Sequence, residues 1–375
     1  MPKFTTLVII CCFISLHVHA QKKYTLFVGT YTSGKSQGIY TYQFNRADAS
    51  TTLVNTISSS NPSYLAIAPN KKYIYAVNEN ADSANNGGGV TAFAIKKRGK
   101  QLIQLNQQPT NGNHPCYVTT DVTGKYLFVG NYNGGNLSIF NITKNGSLLP
   151  AIQTIAHTGK SINKQRQEKA HVHATVISAD NKYLLVPDLG MDKIMLYKFD
   201  VNNGLLSPTA DSFVPVQAGA GPRHIVFHPN QQYAYLTEEL TGTIAAFKYT
   251  DGKLKLMQTI STVAENFKGN FSVADIHISS DGKFLYASNR ADAESIAMYA
   301  VNAETGILTN IGYQPCMGIK PRNFSISPDN NYLLVANQES SDIVIFKRNT
   351  TTGLLHDTGK RIDVPNPVCL KWLED

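Results

Sequence analysis

The apolar residues of this chain gather in short consecutive runs rich in Tyr, Phe, Val, Ile and Leu, each opened by a Lys-Tyr or similar pair and closed by a small polar residue. "KYTLFVGT" ends at Thr30, "KYIYAVN" at Asn78, "KYLFVGN" at Asn131 and "KYLLVPD" at Asp188. "QYAYLTE" ends at Glu238, "KFLYASN" at Asn289 and "NYLLVAN" at Asn337. The intervals between these landmarks are 48, 53, 57, 50, 51 and 48 residues. A repeat of about 50 residues made of strand-forming segments is the pattern of a propeller.

The surroundings of each run repeat too. A short strand precedes it ("CYVTTD", "RHIVFH", "RNFSIS"), and a tight turn of Asp, Gly and Asn joins the two. A third strand follows ("NLSIFNI", "IAAFKY", "DIVIFK"), then a "G-x-L" stretch that leads into a fourth. Consecutive apolar positions suit sheets covered on both faces. The expected fold is therefore all-β, a seven-bladed β-propeller with four antiparallel strands per blade. The N-terminal "YTLFVGT" reads as the second strand of a blade and the C-terminal "PVCLKWL" as a lone first strand. Sharing one blade, they close the ring without a free sheet edge.

The first residues depart from the repeat. "MPKFTTLVIICCFISLHVHAQ" has one Lys, an apolar run too short to span a bilayer as a helix, and small residues before Gln21. This predicts a signal peptide over residues 1–20, a single propeller domain over 21–375 and a periplasmic or secreted product with no membrane attachment after cleavage. The mature chain then keeps Cys116, Cys316 and Cys369, too few and too scattered for a disulfide framework. No CxxC or HExxH pattern calls for zinc, and no cofactor is expected. The formal charge is +8, or +7 without Lys3, and it is spread along the chain. That favours a small anionic ligand; no motif supports nucleic acid, and a monomer is expected.

Antiparallel order places the loop before the first strand and the loop after the second on one face of the ring. Fifteen residues before the landmarks stand Ser63, Cys116, His173, Arg223, Ala274 and Arg322, with Val368 in the closing blade. Two places earlier come Asn61, His114, His171, Gly221, Ser272, Lys320 and Asn366. Directly after the landmarks stand Glu79, Tyr132, Leu189, Glu239, Arg290 and Gln338. Basic and hydrogen-bonding groups thus converge on one rim. "RQEKAHVHA", which holds Arg166, Glu168, His171 and His173, belongs to the longest repeat and lies in the loop entering a first strand. Strand alternation would point both histidines the same way.

With "YTLFVGTYTSGKSQGIY", "NPSYLAI", "HPCYV", "RQEKAHVHA", "GPRHIVFHP", "SNR" and "PRNFSI...LLVANQ", the chain resembles the seven-bladed lactonase family over residues 24–372. That family holds propeller-type 6-phosphogluconolactonases and 3-carboxy-cis,cis-muconate cyclases. The resemblance implies metal-independent opening of a lactone, or its reverse, on an anionic substrate. It implies catalytic roles for His171 or His173, Arg223, Glu238 or Glu239, and Arg290. Rim position adds His114, Arg166, Glu168, His224, Arg322 and Gln338 as substrate-binding candidates.

The resulting scheme is hydrolytic. Arg223, Arg290 and Arg322 hold the anionic group and polarise the carbonyl, and a histidine deprotonates water positioned by Glu239. Alternatives are a lactone-forming cyclase, a calcium-dependent lactonase using the landmark ring of Asn, Asp and Glu, and an exported propeller that only binds. An export signal sits awkwardly with a phosphorylated sugar lactone as substrate.

Overall fold

A computed structural model describes residues 23–81, 87–96 and 100–374, together with Pro2; the expected leader, with Cys11 and Cys12, lies outside the described residues. The consecutive apolar runs become strands buried on both faces. Tyr126–Asn131 and Tyr332–Asn337 are buried at every position. Each such strand is the second of a four-stranded antiparallel sheet, and seven of these sheets form the ring. Successive blades pack face to face. Ile74, Val77 and Phe93 of one blade share a cluster with Leu127, Val129 and Phe140 of the next. Tyrosines of the runs also reach across: Tyr75, Tyr235 and Tyr286 donate to the carbonyls of Gly146, Gly306 and Gly353.

Ring closure follows the terminal patterns. Pro367–Leu373 pairs antiparallel with Lys23–Thr30, which continues into Gly38–Asn45 and Thr51–Ser58. Trp372 seals this blade edge-on against Phe44 and Tyr24, with ring centroids 5.1 and 6.0 Å away.

The landmark side chains turn into their own blades. Asn78, Asn131 and Asn289 donate through Nδ2 to the carbonyls of Ser60, Thr110 and Thr262 at 2.8, 3.0 and 2.6 Å. Asp188 receives the His157 ring at 2.7 Å and the His171 amide at 2.8 Å, while Glu238 accepts the Thr243 hydroxyl at 2.5 Å. These contacts tie the ends of strands together within each blade.

Candidate active site

The site is built by a backbone device that recurs around the ring. Pro115 pairs with Asn131 but Tyr117 with Gly130, so Cys116 is an extra residue in its ladder. The same shift frees Arg322 between Pro321 and Asn323, and Val368 between Pro367 and Cys369. One residue is likewise surplus at Arg223-His224 and at Ala274-Asp275. Such bulges re-aim a side chain out of the pleat, here into the central channel.

The residue just before the proline adopts a left-handed backbone in five blades, at Asn61, His114, Gly221, Lys320 and Asn366. At Gly221 φ is +69°, and a Cβ would come within 2.7 Å of the Leu240 side chain. The turned carbonyl then receives the amide after the landmark: Glu79 to Asn61 at 3.0 Å, Tyr132 to His114 at 2.9 Å and Glu239 to Gly221 at 2.7 Å. This contact sets the bulge residue and the post-landmark residue of one blade face to face.

In the blade of His173 the first strand is reduced to Val176–Ile177, preceded by an isolated bridge from Val172 to Asp188. One residue is surplus between Val172, opposite Asp188, and Val176, opposite Leu185, so strand alternation breaks here. The two histidines meet Tyr132 differently, with the His173 ring edge-on at 5.3 Å. His173 faces the channel. His171 stacks on Tyr132 at 4.5 Å, with its ring nitrogens at the Tyr132 carbonyl and Glu168.

The channel mouth encloses a cavity of about 490 Å3 lined by Glu79, Cys116, Tyr132, Arg166, His173, Glu239, Arg290 and Arg322 among others. Glu239 is its centre. Its Oε2 accepts from Arg223 Nε at 2.9 Å and lies 3.3 Å from Arg290 Nη2, while its Oε1 accepts from Arg166 Nη2 at 2.7 Å. Arg166 arrives from the inserted loop, which buried Gln167 pins to the Leu189 carbonyl and Asp192 at 2.9 and 2.7 Å. Arg166 also reaches the Tyr132 hydroxyl at 3.1 Å. Arg223 lies beneath, with Nη1 on the Ala274 carbonyl at 2.6 Å. His173 Nε2 stands 3.8 Å from Glu239 Oε2, an electrostatic contact rather than a hydrogen bond.

These neighbours set the charges. Burial alone would raise the Glu239 carboxyl, but Arg290, Arg223 and Arg166 hold it well below the usual carboxylate range. Burial, then Arg223 and His224, push the His173 imidazole well below its ordinary value, so it is neutral at pH 7. Burial brings Arg290 down to about 10. Burial raises the Cys116 thiol, so Cys116 is no thiolate nucleophile. Arg322 has no hydrogen bond or ion pair among the described residues; its guanidinium sits 5.3 Å over the Tyr31 ring.

A family model described as "Lactonase, 7-bladed beta-propeller" matches residues 25–372. The chain belongs to the seven-bladed lactonase family. It is 38% identical to the 6-phosphogluconolactonase of Formosa agariphila over 335 residues, covering 88% of this chain and 94% of that protein. It is 35% identical to the Bacillus subtilis 6-phosphogluconolactonase over 355 residues, covering 94% and 99%. Among solved structures, the periplasmic gluconolactonase of Pseudomonas aeruginosa superposes with a TM-score of 0.89 at 34% identity, covering 94% and 99%. This chain is thus a lactonase, an enzyme that opens a cyclic ester with water.

The lactonase structure gathers His173, Glu239, Arg290, Arg166 and Arg322 at one cavity, with Arg223 under Glu239. Glu238, His171, Glu168, His114 and Gln338 do not line it. Glu238 faces Thr243 inside its blade, and Glu168 is an exposed partner of His171. His114 holds a left-handed backbone position and meets Asn133 at 2.9 Å. The Gln338 carbonyl oxygen is buried with no partner among the described residues. His224 lies deeper, its Nδ1 on Asp275 at 2.7 Å. Sequence position carried Tyr132 and Glu79 onto the rim without assigning either a role; both line the cavity. Glu294 was not singled out at all, and nothing in the repeat marks it, because it stands five residues past its landmark.

Proposed function

We propose that this lactonase hydrolyses a sugar lactone of the glucono-1,5-lactone type without a metal. The observation that carries the reading is the pairing of a neutral His173 with a Glu239 whose two oxygens are taken up by three guanidiniums, on the same cavity as an uncommitted Arg322. The three relatives named above, two 6-phosphogluconolactonases and a periplasmic gluconolactonase, support the substrate class.

In this reading His173 takes a proton from the attacking water. Glu239, 3.8 Å away, stabilises the imidazolium that forms. Arg290 faces the carbonyl oxygen as negative charge develops there. Arg223 acts from below by holding Glu239 in place. Arg322, with Lys320 also on the cavity wall, would anchor a 6-phosphate where the substrate carries one.

We propose as well that residues 1–20 direct export and that 21–375 are the mature single-domain enzyme; a relative named as periplasmic supports this. The test is a pH-stat assay of that mature chain on glucono-1,5-lactone and its 6-phosphate, each with and without EDTA, for the wild type and Arg322→Ala. EDTA-resistant turnover, with the variant losing more on the phosphate, supports the reading; loss of turnover with EDTA overturns it.

A further inference from the structure

Beneath the main cavity lies a second chamber of about 10 Å3, on the order of one water molecule. Glu79, Cys116, His173 and Arg322 line both spaces and form the neck between them. Arg223 and His224 belong to the lower one. A buried water needs two to four polar partners, and this lining offers acceptors at Glu79 and the neutral His173 and donors at Arg223 and Arg322.

Glu239 and Glu79, which share the main cavity with His173, are not equivalent. Glu239 is committed to three guanidiniums, Arg223 and Arg290 at Oε2 and Arg166 at Oε1. Glu79 is fastened through Oε2 alone, by the Tyr31 hydroxyl at 2.9 Å and by Ser63. Its Oε1 makes no hydrogen bond among the described residues, and its side chain faces both spaces. Glu79 is also the post-landmark residue of its blade, as Glu239 is of its own. Each is set against its bulge-position partner: Ser63 for Glu79, Arg223 for Glu239.

We propose that the lower chamber seats the hydrolytic water and that Glu79 is a further catalytic residue, orienting that water against His173. The inference rests on the lactonase reading of the same cavity. One O–H of the water points at the His173 ring and the other at Glu79 Oε1, which leaves a lone pair aimed up through the neck at the lactone carbonyl. The O–H bond to His173 breaks as the new C–O bond forms, and the carbonyl pair moves onto oxygen. Collapse of that oxyanion breaks the ring C–O bond, and the departing ring oxygen takes the proton from His173. The product is the open-chain hydroxy acid, which loses its carboxyl proton to solvent at neutral pH.

The test has a structural and a kinetic arm, both on the mature chain. A high-resolution crystal structure should show an ordered water about 3 Å from both Glu79 and the His173 ring. Glu79→Gln keeps an acceptor for Tyr31 and Ser63 but puts an amide nitrogen, which donates, in place of Oε1, so kcat should fall by about 10- to 100-fold with KM and melting temperature close to wild type. Val368 also lines the chamber, and Val368→Ile should fill it and lower kcat at unchanged KM; this variant carries the kinetic test if Glu79→Gln does not fold. A kcat within twofold of wild type in both variants, or a chamber closed by a side chain, overturns the proposal. A wild type inactive on every lactone sinks the lactonase reading and the catalytic role of Glu79 with it, whereas an active wild type with no water in the chamber overturns this proposal alone.

Discussion

Arg223 Nε donates to Glu239 Oε2 across 2.9 Å, and the two residues are sixteen positions apart in a single blade. The bulge turns Arg223 out of its ladder, and the left-handed Gly221 carbonyl fixes the Glu239 amide opposite it. A charge pair buried this deeply is costly to break. Arg223→Ala should leave Glu239 short of one guanidinium and the Ala274 carbonyl without its donor, at a cost of about 1–3 kcal/mol. We expect a lower melting temperature and a loss of about 100-fold in kcat/KM, equivalent to a little under 3 kcal/mol of transition-state stabilisation. Arg223→Lys should not restore activity, since an ammonium cannot reproduce the planar fork that reaches both partners. Full activity in the lysine variant would remove the geometric role given to Arg223.

His173 should set the acid limb of the rate profile. Its imidazole is pushed well below the ordinary value of 6.5, so wild-type kcat should stay level as pH falls from 8 past 6.5 and drop only at more acid pH. His173→Gln should lower kcat by about 10²- to 10⁴-fold and flatten that limb. A wild-type midpoint near 6.5 contradicts this assignment.

Stability should also fall with acid. Burial, with Arg223 beside it, brings His224 down to about 4, and His173 moves the same way. Between pH 6.5 and about 4 the unfolded chain therefore binds protons at these sites that the folded chain refuses, so unfolding becomes easier as pH drops through that window. Below it, Glu239 and Asp275 add to the loss, since arginines hold the first and His277 and His224 the second below the usual carboxylate range against the effect of burial. Calorimetric melts from pH 8 to pH 4 should show a falling midpoint, and His224→Gln should lessen the fall. A flat midpoint across that range contradicts the assignment.

The inserted loop should act mainly on binding. Arg166 is partly exposed, bridges Glu239 and Tyr132, and is held in place by Gln167. Arg166→Ala should raise KM by about 10-fold with a smaller effect on kcat, and Gln167→Ala should shift KM in the same direction. Equal losses in kcat for both would place Arg166 in the chemical step instead.

Much of this was legible in the sequence. The runs ending at Asn78, Asn131 and their equivalents gave blade number, strand order and the shared closing blade, because buried second strands leave uninterrupted apolar segments. The rim positions put Arg223 and Glu239 on one face. What the repeat could not resolve was which neighbour faces the cavity. Glu238 and Glu239 differ by one step in strand phase, and only the Gly221 carbonyl contact fixes which one turns inward. His171 and His173 differ because the His171 carbonyl receives the Leu189 amide and one residue is surplus between Val172 and Val176, which pattern alone does not reveal. The proline before Cys116, Arg223, Arg322 and Val368 was the visible trace of the bulge, and it was read only as the start of a strand.

The central claim is that the Glu239 cluster with neutral His173 opens lactones. The most direct measurement is the pH-stat rate of the mature chain on glucono-1,5-lactone at pH 7, for wild type and Glu239→Gln, with melts of both. The account predicts wild-type hydrolysis well above the spontaneous rate and its near-complete loss in a folded Glu239→Gln. A folded variant as active as wild type, or a wild type no faster than water, would contradict it.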